Sequence, residues 1–240
     1  MRYPVLRYLA VLSCTWHLCA NGQGLRLLTE DYPPFSMLAS DGSVSGLSSD
    51  LVREMFKRAG VAYRIELQPW LRAYNSARQD GHTCIYSTTW TVARAHQFKW
   101  IGPLASNPWV LYAGPASPKP ITVLEDVRNF RIGGYGGDAE ADYLQQQGFK
   151  VELVPSDKLN ARKLLAGHID FWATSQFRGN ELVRRENLPQ LRPVLAFSTA
   201  VLYLACNPLV EDVTIGRLSR ALQEMRQDGF FERTTAHYFY

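Results

Sequence analysis

The order of short elements limits this chain more than any single motif does. From Leu25 to Tyr86 it reads strand, helix, strand, helix, strand, and from Phe130 to Ala173 the same order returns. In the first unit Leu25–Thr29, Val61–Leu67 and Thr83–Tyr86 are short apolar or alternating runs. Between the first two, Leu51, Met55, Phe56 and Ala59 recur at helical spacing, with Ser48 or Ser49 as N-cap and Gly60 as terminator. A second helix, Leu71 to Gln79, is closed by Asp80-Gly81. In the second unit the strands are Phe130–Gly134, Val151–Val154 and Ile169–Ala173; the helices are Ala139–Gln147, stopped by Gly148, and Lys158–Leu165, ended by Gly167. Strands alternating with helices predict parallel sheets joined by right-handed crossovers. Two such units without sequence repetition predict two lobes with a cleft between them.

The connecting segments are less regular. Phe98–Leu104 is apolar and is expected to end in a turn; Trp109–Ala113 is a further strand; Gly114–Pro120 carries three prolines and reads as a linker, with Thr122 capping a short helix after it. The C-terminal part offers a strand at Ala200–Cys206, a helix at Val213–Gln227 stopped by Asp228-Gly229, and an amphipathic stretch to Tyr240.

Chemistry concentrates at Ile85–Arg94, where an apolar strand gives way to Ser87, Thr88, Thr89, Trp90, Thr91 and Arg94. Open α/β sheets bind ligands just beyond the carboxyl ends of their strands. Hydroxyls there can hold an anion, and an arginine meets a carboxylate with two parallel hydrogen bonds. The segment reads as a ledge for a small anionic or zwitterionic molecule; the competing reading is a surface turn whose arginine pairs with a nearby acid.

Charge and cysteine usage narrow the class. Met1 to about Ala20 has the form of an export signal, with Arg2 and Arg7 before a short apolar run. Without those two, 24 of the 26 basic residues face 22 acidic ones. That balance, with no Lys/Arg run, gives no case for nucleic acid. Export implies an oxidising compartment. Cys84 and Cys206 could form one disulfide there, but buried thiols are preferred. The scattered histidines and cysteines match no metal site and imply no cofactor.

Taken in order, several marks resemble the family 3 extracellular solute-binding proteins, the periplasmic receptors of amino-acid ABC importers. They are Tyr32-Pro-Pro-Phe35, Gly46-x-x-x-Asp50-Leu51, Thr91-x-x-Arg94, Leu165-x-Gly167-x-x-Asp170 and the ending Ala221-Leu222-x-x-Met225-Arg226-x-Asp228-Gly229-x-Phe231. The resemblance runs from Leu25 to Tyr240. It implies an α/β, two-lobed periplasmic binding protein fold of type II, with two mixed, mostly parallel sheets and flanking helices joined by a two-strand hinge. Lobe 1 would be 23–104 plus 200–240 and lobe 2 would be 109–199, with crossings near Leu104–Pro108 and Phe197–Ala200. Both cysteines then fall in lobe 1, which keeps the disulfide geometrically open.

The resemblance also implies a ligand set. Tyr32 and Trp70 would sandwich the ligand side chain, Ser87 and Thr89 would hydrogen-bond its carboxylate, and Arg94 would clamp it, with Trp90 adding apolar wall or facing inward. Backbone N–H groups of the Gly136-Gly137-Asp138 turn would reach the carboxylate from the other lobe, with Asp138 either facing the ligand or capping the following helix. Ser175 stands where amino-acid receptors place the aspartate that pairs with the ligand's ammonium. A hydroxyl cannot neutralise a cation, so either Asp138 or Glu30 supplies the charge or the solute is not a standard α-amino acid. Asp170 is read as structural. The implied protein is a monomer in the periplasm that hands a small molecule to an inner-membrane ABC permease and catalyses nothing. The alternatives are an orphan sensory receptor and a cleft enzyme of the cyclohexadienyl dehydratase type, recruiting Glu30, Asp31, Asp138 or Glu140 as general acid.

Overall fold

The computed structural model describes residues 24–118 and 120–239, so the expected export signal at 1–20 lies outside the described residues. In chain order the elements are β1 Leu25–Thr29, β2 Met37–Leu38, β3 Val44–Ser45, α1 Leu47–Ala59, β4 Tyr63–Leu67, α2 Trp70–Gln79, β5 Thr83–Thr89 and β6 Lys99–Ala113. There follow β7 Ile132–Tyr135, α3 Ala139–Gln146, β8 Val151–Val154, α4 Asp157–Leu165, β9 Phe171–Ser175, α5 Gln176–Arg185, β10 Arg192–Cys206, α6 Asp212–Gln227 and α7 Phe230–Phe239.

The main strands lie in the order β4-β1-β5-β10-β6-β9-β7-β8. The triplets β4-β1-β5 and β9-β7-β8 are parallel, as the alternating order predicts. Between them β10 and β6 run antiparallel to each other along their whole length, from Cys206↔Lys99 to Arg192↔Ala113. This pair joins the two expected sheets into one hydrogen-bonded ladder.

Each half has its own core on both sheet faces. Successive strand residues point to opposite faces. Leu27 therefore packs with Leu51, Met55 and Phe56 of α1, whereas Leu28 packs with Trp70, Ala73 and Ala77 of α2. In the other half Leu111, Ile132 and Phe171 face Leu144 of α3, while Tyr112, Ile169 and Trp172 face Ala161 and Leu164 of α4.

The structure departs from the sequence reading in several places. Phe98–Leu104 and Trp109–Ala113 are not separated by a turn: from Lys99 onward both lie on the single strand β6, and Ala200–Cys206 is only the end of β10. Helix α1 is capped by Gly46 at φ 110°, and Ser48 and Ser49 are buried inside its first turn, where Ser49 meets the Tyr86 hydroxyl at 3.0 Å. Helix α5 occupies a segment for which no element was expected. Cys84 and Cys206 form a disulfide, against the preference for thiols. They are directly opposed partners on the antiparallel pair β5 and β10, with Cα atoms 3.9 Å apart.

Candidate functional site

Strand β5 carries the first half of the site because its ladder to β10 is interrupted. Two residues, Tyr86 and Ser87, oppose the single residue Leu204 where the register shifts. Ser87 takes the bulge in a left-handed conformation at φ 58°, rare for a residue with a side chain. Such strain collects where a fold must re-aim a side chain. Ser87 and Thr89 are both buried, and the Ser87 hydroxyl has no hydrogen-bond partner among the described residues.

Arg94 follows in the turn after β5 and is only 6 % exposed. Its Nη2 donates to the Gly137 carbonyl at 3.0 Å and to Asp142 Oδ2 at 3.3 Å. The guanidinium carbon lies 5.1 Å from the Tyr74 ring centroid and 5.7 Å from that of Trp70. Its Nη1 has no partner among the described residues. Trp70 Nε1 also donates to the Gly137 carbonyl, at 2.7 Å. One carbonyl of the β7–α3 turn thus receives two of the predicted side chains of the facing half, Trp70 and Arg94. Gly137 has φ +78°, and a Cβ there would come within 2.3 Å of Leu71 Cδ2. A recess of about 460 Å³ opens beside this junction, lined by Arg94, Trp109, Gly137, Ala139, Asp142 and Tyr143 among others.

Asp138 caps α3, its Oδ1 accepting from the Ala139 N–H at 2.8 Å, while Oδ2 has no hydrogen-bond partner among the described residues and lies 4.0 Å from Arg178 Nη1. Two of the backbone donors expected to meet a carboxylate are engaged elsewhere: Gly136 N–H donates to Val154 O and Asp138 N–H to Tyr135 O. Ser175 caps α5 by accepting from the Arg178 N–H at 3.3 Å. Trp90 is 44 % exposed, so it does not face the interior.

Arg178 is the residue that sequence reasoning missed. Its guanidinium, largely shielded from solvent, lies between the rings of Tyr32 at 4.6 Å and Tyr135 at 5.1 Å. It donates to Glu30 Oε2 at 2.9 Å and to the Asp31 carbonyl at 3.2 Å across the cleft, and its Nε lies 3.4 Å from Asp157 Oδ2. Asp157 further accepts from Trp172 Nε1 and Thr174 Oγ1. Burial outweighs the pull of Arg178 and pushes the Glu30 carboxyl up to about 7. Burial likewise raises Asp157. The usable signal was local: Ser175 ends a strand, opens a helix, and puts an arginine three residues on.

The Tyr32 hydroxyl also accepts from Asn107 Nδ2 at 2.6 Å, while Asn107 Oδ1 and Trp109 Nε1, both on β6, have no partner among the described residues. Of the predicted set, Trp70, Arg94 and Gly137 are brought into direct contact, and Tyr32, Asp138 and Ser175 gather around Arg178. Among the described residues no cluster of three or more His, Cys, Asp or Glu could hold a metal ion, and no helix is long and apolar enough to cross a membrane.

Comparison with known proteins agrees with this architecture. The profile of the bacterial extracellular solute-binding proteins, family 3, matches residues 25–240. The L-cystine-binding protein TcyJ of Escherichia coli strain K12 is 23 % identical over 213 residues, covering 87 % of this chain and 79 % of that protein. A histidine kinase sensor domain with similarity to periplasmic binding proteins superposes with a TM-score of 0.83 at 22 % identity, covering 90 % of this chain and 96 % of the other. An ancestral arginine-binding protein bound to arginine gives 0.78 at 20 % identity, covering 90 % and 98 %.

Proposed function

Because the chain belongs to the bacterial extracellular solute-binding proteins, family 3, we propose that it captures a small carboxylate-bearing solute, an amino acid or a near relative, between two lobes and presents it to an ABC importer of the inner membrane. The lobes are residues 23–104 with 200–240, and 109–199, hinged where β6 and β10 cross. The protein acts in the periplasm after removal of its N-terminal signal. The observation that carries this reading is Arg94, a buried guanidinium with one nitrogen lacking a partner among the described residues, in the turn that follows the strand whose Ser87 hydroxyl is likewise buried and unpartnered. A buried donor left unsatisfied costs about 1–3 kcal/mol, more when charged, so such a pair is suited to accepting an anion. The names of the similar proteins, for cystine and arginine, support the amino-acid class.

The mechanism is selection of a shape. Arg94 and Ser87 stand on one half and the β7–α3 turn on the other, so a solute touching both favours the conformation in which they meet. The permease reads that conformation. Arg94 then trades its contacts to Gly137 and Asp142 for the solute's carboxylate.

The test begins with a thermal-shift screen of amino acids, small organic acids and polyamines. Calorimetry on each hit then compares wild type with Arg94→Ala. The variant is expected to lose about 2–5 kcal/mol of binding free energy, the usual cost of truncating one partner of a buried charge pair. Unchanged affinity in a folded variant removes Arg94 from the site. Turnover of a cyclic dicarboxylic acid of the prephenate type would replace capture by the dehydratase reading.

A further inference from the structure

The space between the cleft's two tyrosine rings is taken by the chain itself. Tyr32 and Tyr135 come from opposite halves and are 5 % and 7 % exposed. The Arg178 guanidinium lies 4.6 Å from one ring centroid and 5.1 Å from the other. Its polar partners are divided between the halves in the same way. On the first half it donates to Glu30 Oε2 and to the Asp31 carbonyl. On its own half it faces Asp157 Oδ2 at 3.4 Å and Asp138 Oδ2 at 4.0 Å. Aromatic rings beside a planar cation, with carboxylates at its edge, are the surroundings a guanidinium compound needs to bind. Here that cation is a side chain.

The cavities agree. One recess of about 470 Å³ is lined by Glu30, Asp31, Asp157, Arg178 and Arg185 among others, and it shares no lining residue with the recess beside Arg94. Neither is lined by Tyr32 or Tyr135, so the space next to the two rings is filled rather than open. Nor does Arg178 reach across alone. Ser175 ends β9 and caps α5, which sets the first turn of that helix at the gap. Phe177 meets Phe35 edge-on at 5.6 Å and Phe239 of α7 at 4.9 Å, and Arg185 lies 3.5 Å from Asp31. One helix of the second half thus holds the first through an aromatic contact, a buried ion pair and an exposed one. None of the three uses Ser87, Thr89 or Arg94. Withdrawing Arg178 would leave Glu30 and Asp157 buried without this counter-charge, a strongly destabilising change for the closed arrangement.

We propose that Arg178 is a built-in occupant of the cleft, which fills the space between Tyr32 and Tyr135 and holds the two halves together when no solute is present. The proposal rests on the two-lobe reading above but on no particular solute. A solute entering beside Arg94 then finds no free tyrosine ring to stack on, which limits it to a short side chain while Arg178 stays in place.

Methylguanidinium is the probe, because Arg178→Ala leaves a gap of its shape edged by carboxyls. Calorimetry on the solute-free mature chain is expected to show Arg178→Ala binding methylguanidinium with a Kd of about 1 mM, within reach of so small a ligand, and wild type binding it at least about tenfold more weakly. Methylammonium, which has the charge but not the planar fork, should bind the variant at least about tenfold more weakly than methylguanidinium does. Small-angle scattering reads the closure. Solute-free wild type should keep the radius of gyration of this structure, Arg178→Ala should exceed it, and methylguanidinium at about ten times its Kd should restore it. A folded Arg178→Ala that ignores methylguanidinium, or that scatters like wild type without it, overturns the proposal, as does a solute-free wild type that is already expanded. Should Arg178→Ala not fold, Glu30→Ala removes the partner on the facing half and must expand in the same measurement. None of these readouts involves a solute. A protein that passes them and binds nothing in the thermal-shift screen would lose the capture reading and keep the occupant.

Discussion

Ser87 shows how much of the site depends on one backbone angle. Its φ of 58° is one of only two positive values at non-glycine residues among those described. A left-handed conformation costs a residue with a Cβ roughly 1 kcal/mol relative to glycine. Ser87→Gly is therefore expected to raise the unfolding free energy measured in urea by up to about 1 kcal/mol, while weakening ligand binding through loss of the hydroxyl. Ser87→Ala keeps the strain and loses the hydroxyl, so it should weaken binding with no gain in stability. Gly137→Ala acts in the opposite sense. At φ +78° with Leu71 Cδ2 2.3 Å from the added methyl, it should cost about 1–3 kcal/mol in urea unfolding. The family resemblance grouped Arg94, Trp70 and Gly137 in one expected site, and the structure brings them into contact. Arg178 escaped the sequence reading: the Ser175 cap places it locally, but its partners Glu30, Asp31 and Asp157 come from two other parts of the chain.

At the scale of elements, the alternation of strands and helices was readable because each element has its own period and its own stop. The crossing strands were not, because Gly102, Pro103, Pro108 and Pro193 punctuate them as turns would. The topology explains why they are tolerated. Residues 99–106 of β6 pair with β10 alone, and residues 192–200 of β10 pair with β6 alone, so each strand is an edge in one half and interior in the other. Pro103 and Pro193 fall in those edge stretches, where a missing N–H costs no ladder bond on the open side. The same pairing sets Cys84 against Cys206 and closes a loop of 122 residues. Replacing both by serine should lower the unfolding free energy by about 3–5 kcal/mol, the usual cost of opening a loop that long. Because both residues are fully buried in the core of one half, far along β5 from Arg94, solute affinity at a temperature where the variant is folded should stay within about twofold. An affinity that falls with reduction would mean that the β5–β10 pairing itself shapes the ledge.

For the molecule as a whole, burying more acid than base in the cleft ties stability to pH. Glu30 is faced by Arg178, Asp138, Asp157 and Tyr135, and desolvation still lifts it from 4.5 to about 7. Glu140 and Asp157 are raised for the same reason. A carboxyl whose folded value exceeds its unfolded one binds more protons in the native state. Its stabilisation is complete below about 4.5 and is lost as pH rises through about 7. Glu66, pulled down to about 2 by its hydrogen bonds to Arg26 and its neighbours, and Asp170, lowered by Arg131, work the other way. Their stabilisation is present above about 4.5 and fades as pH falls toward 2. The two trends meet, and the solute-free protein should be most stable near pH 4.5–5. Urea unfolding from pH 5 to 8 should show stability falling by on the order of 3 kcal/mol from Glu30 alone and levelling above about pH 7. Glu30→Gln should flatten that slope, since it removes the titrating group while an amide can still accept from Arg178. A stability that rises with pH across this window would mean that the cleft carboxyls are ionised and paired in the native state, and that Arg178 rather than bound protons balances the buried charge.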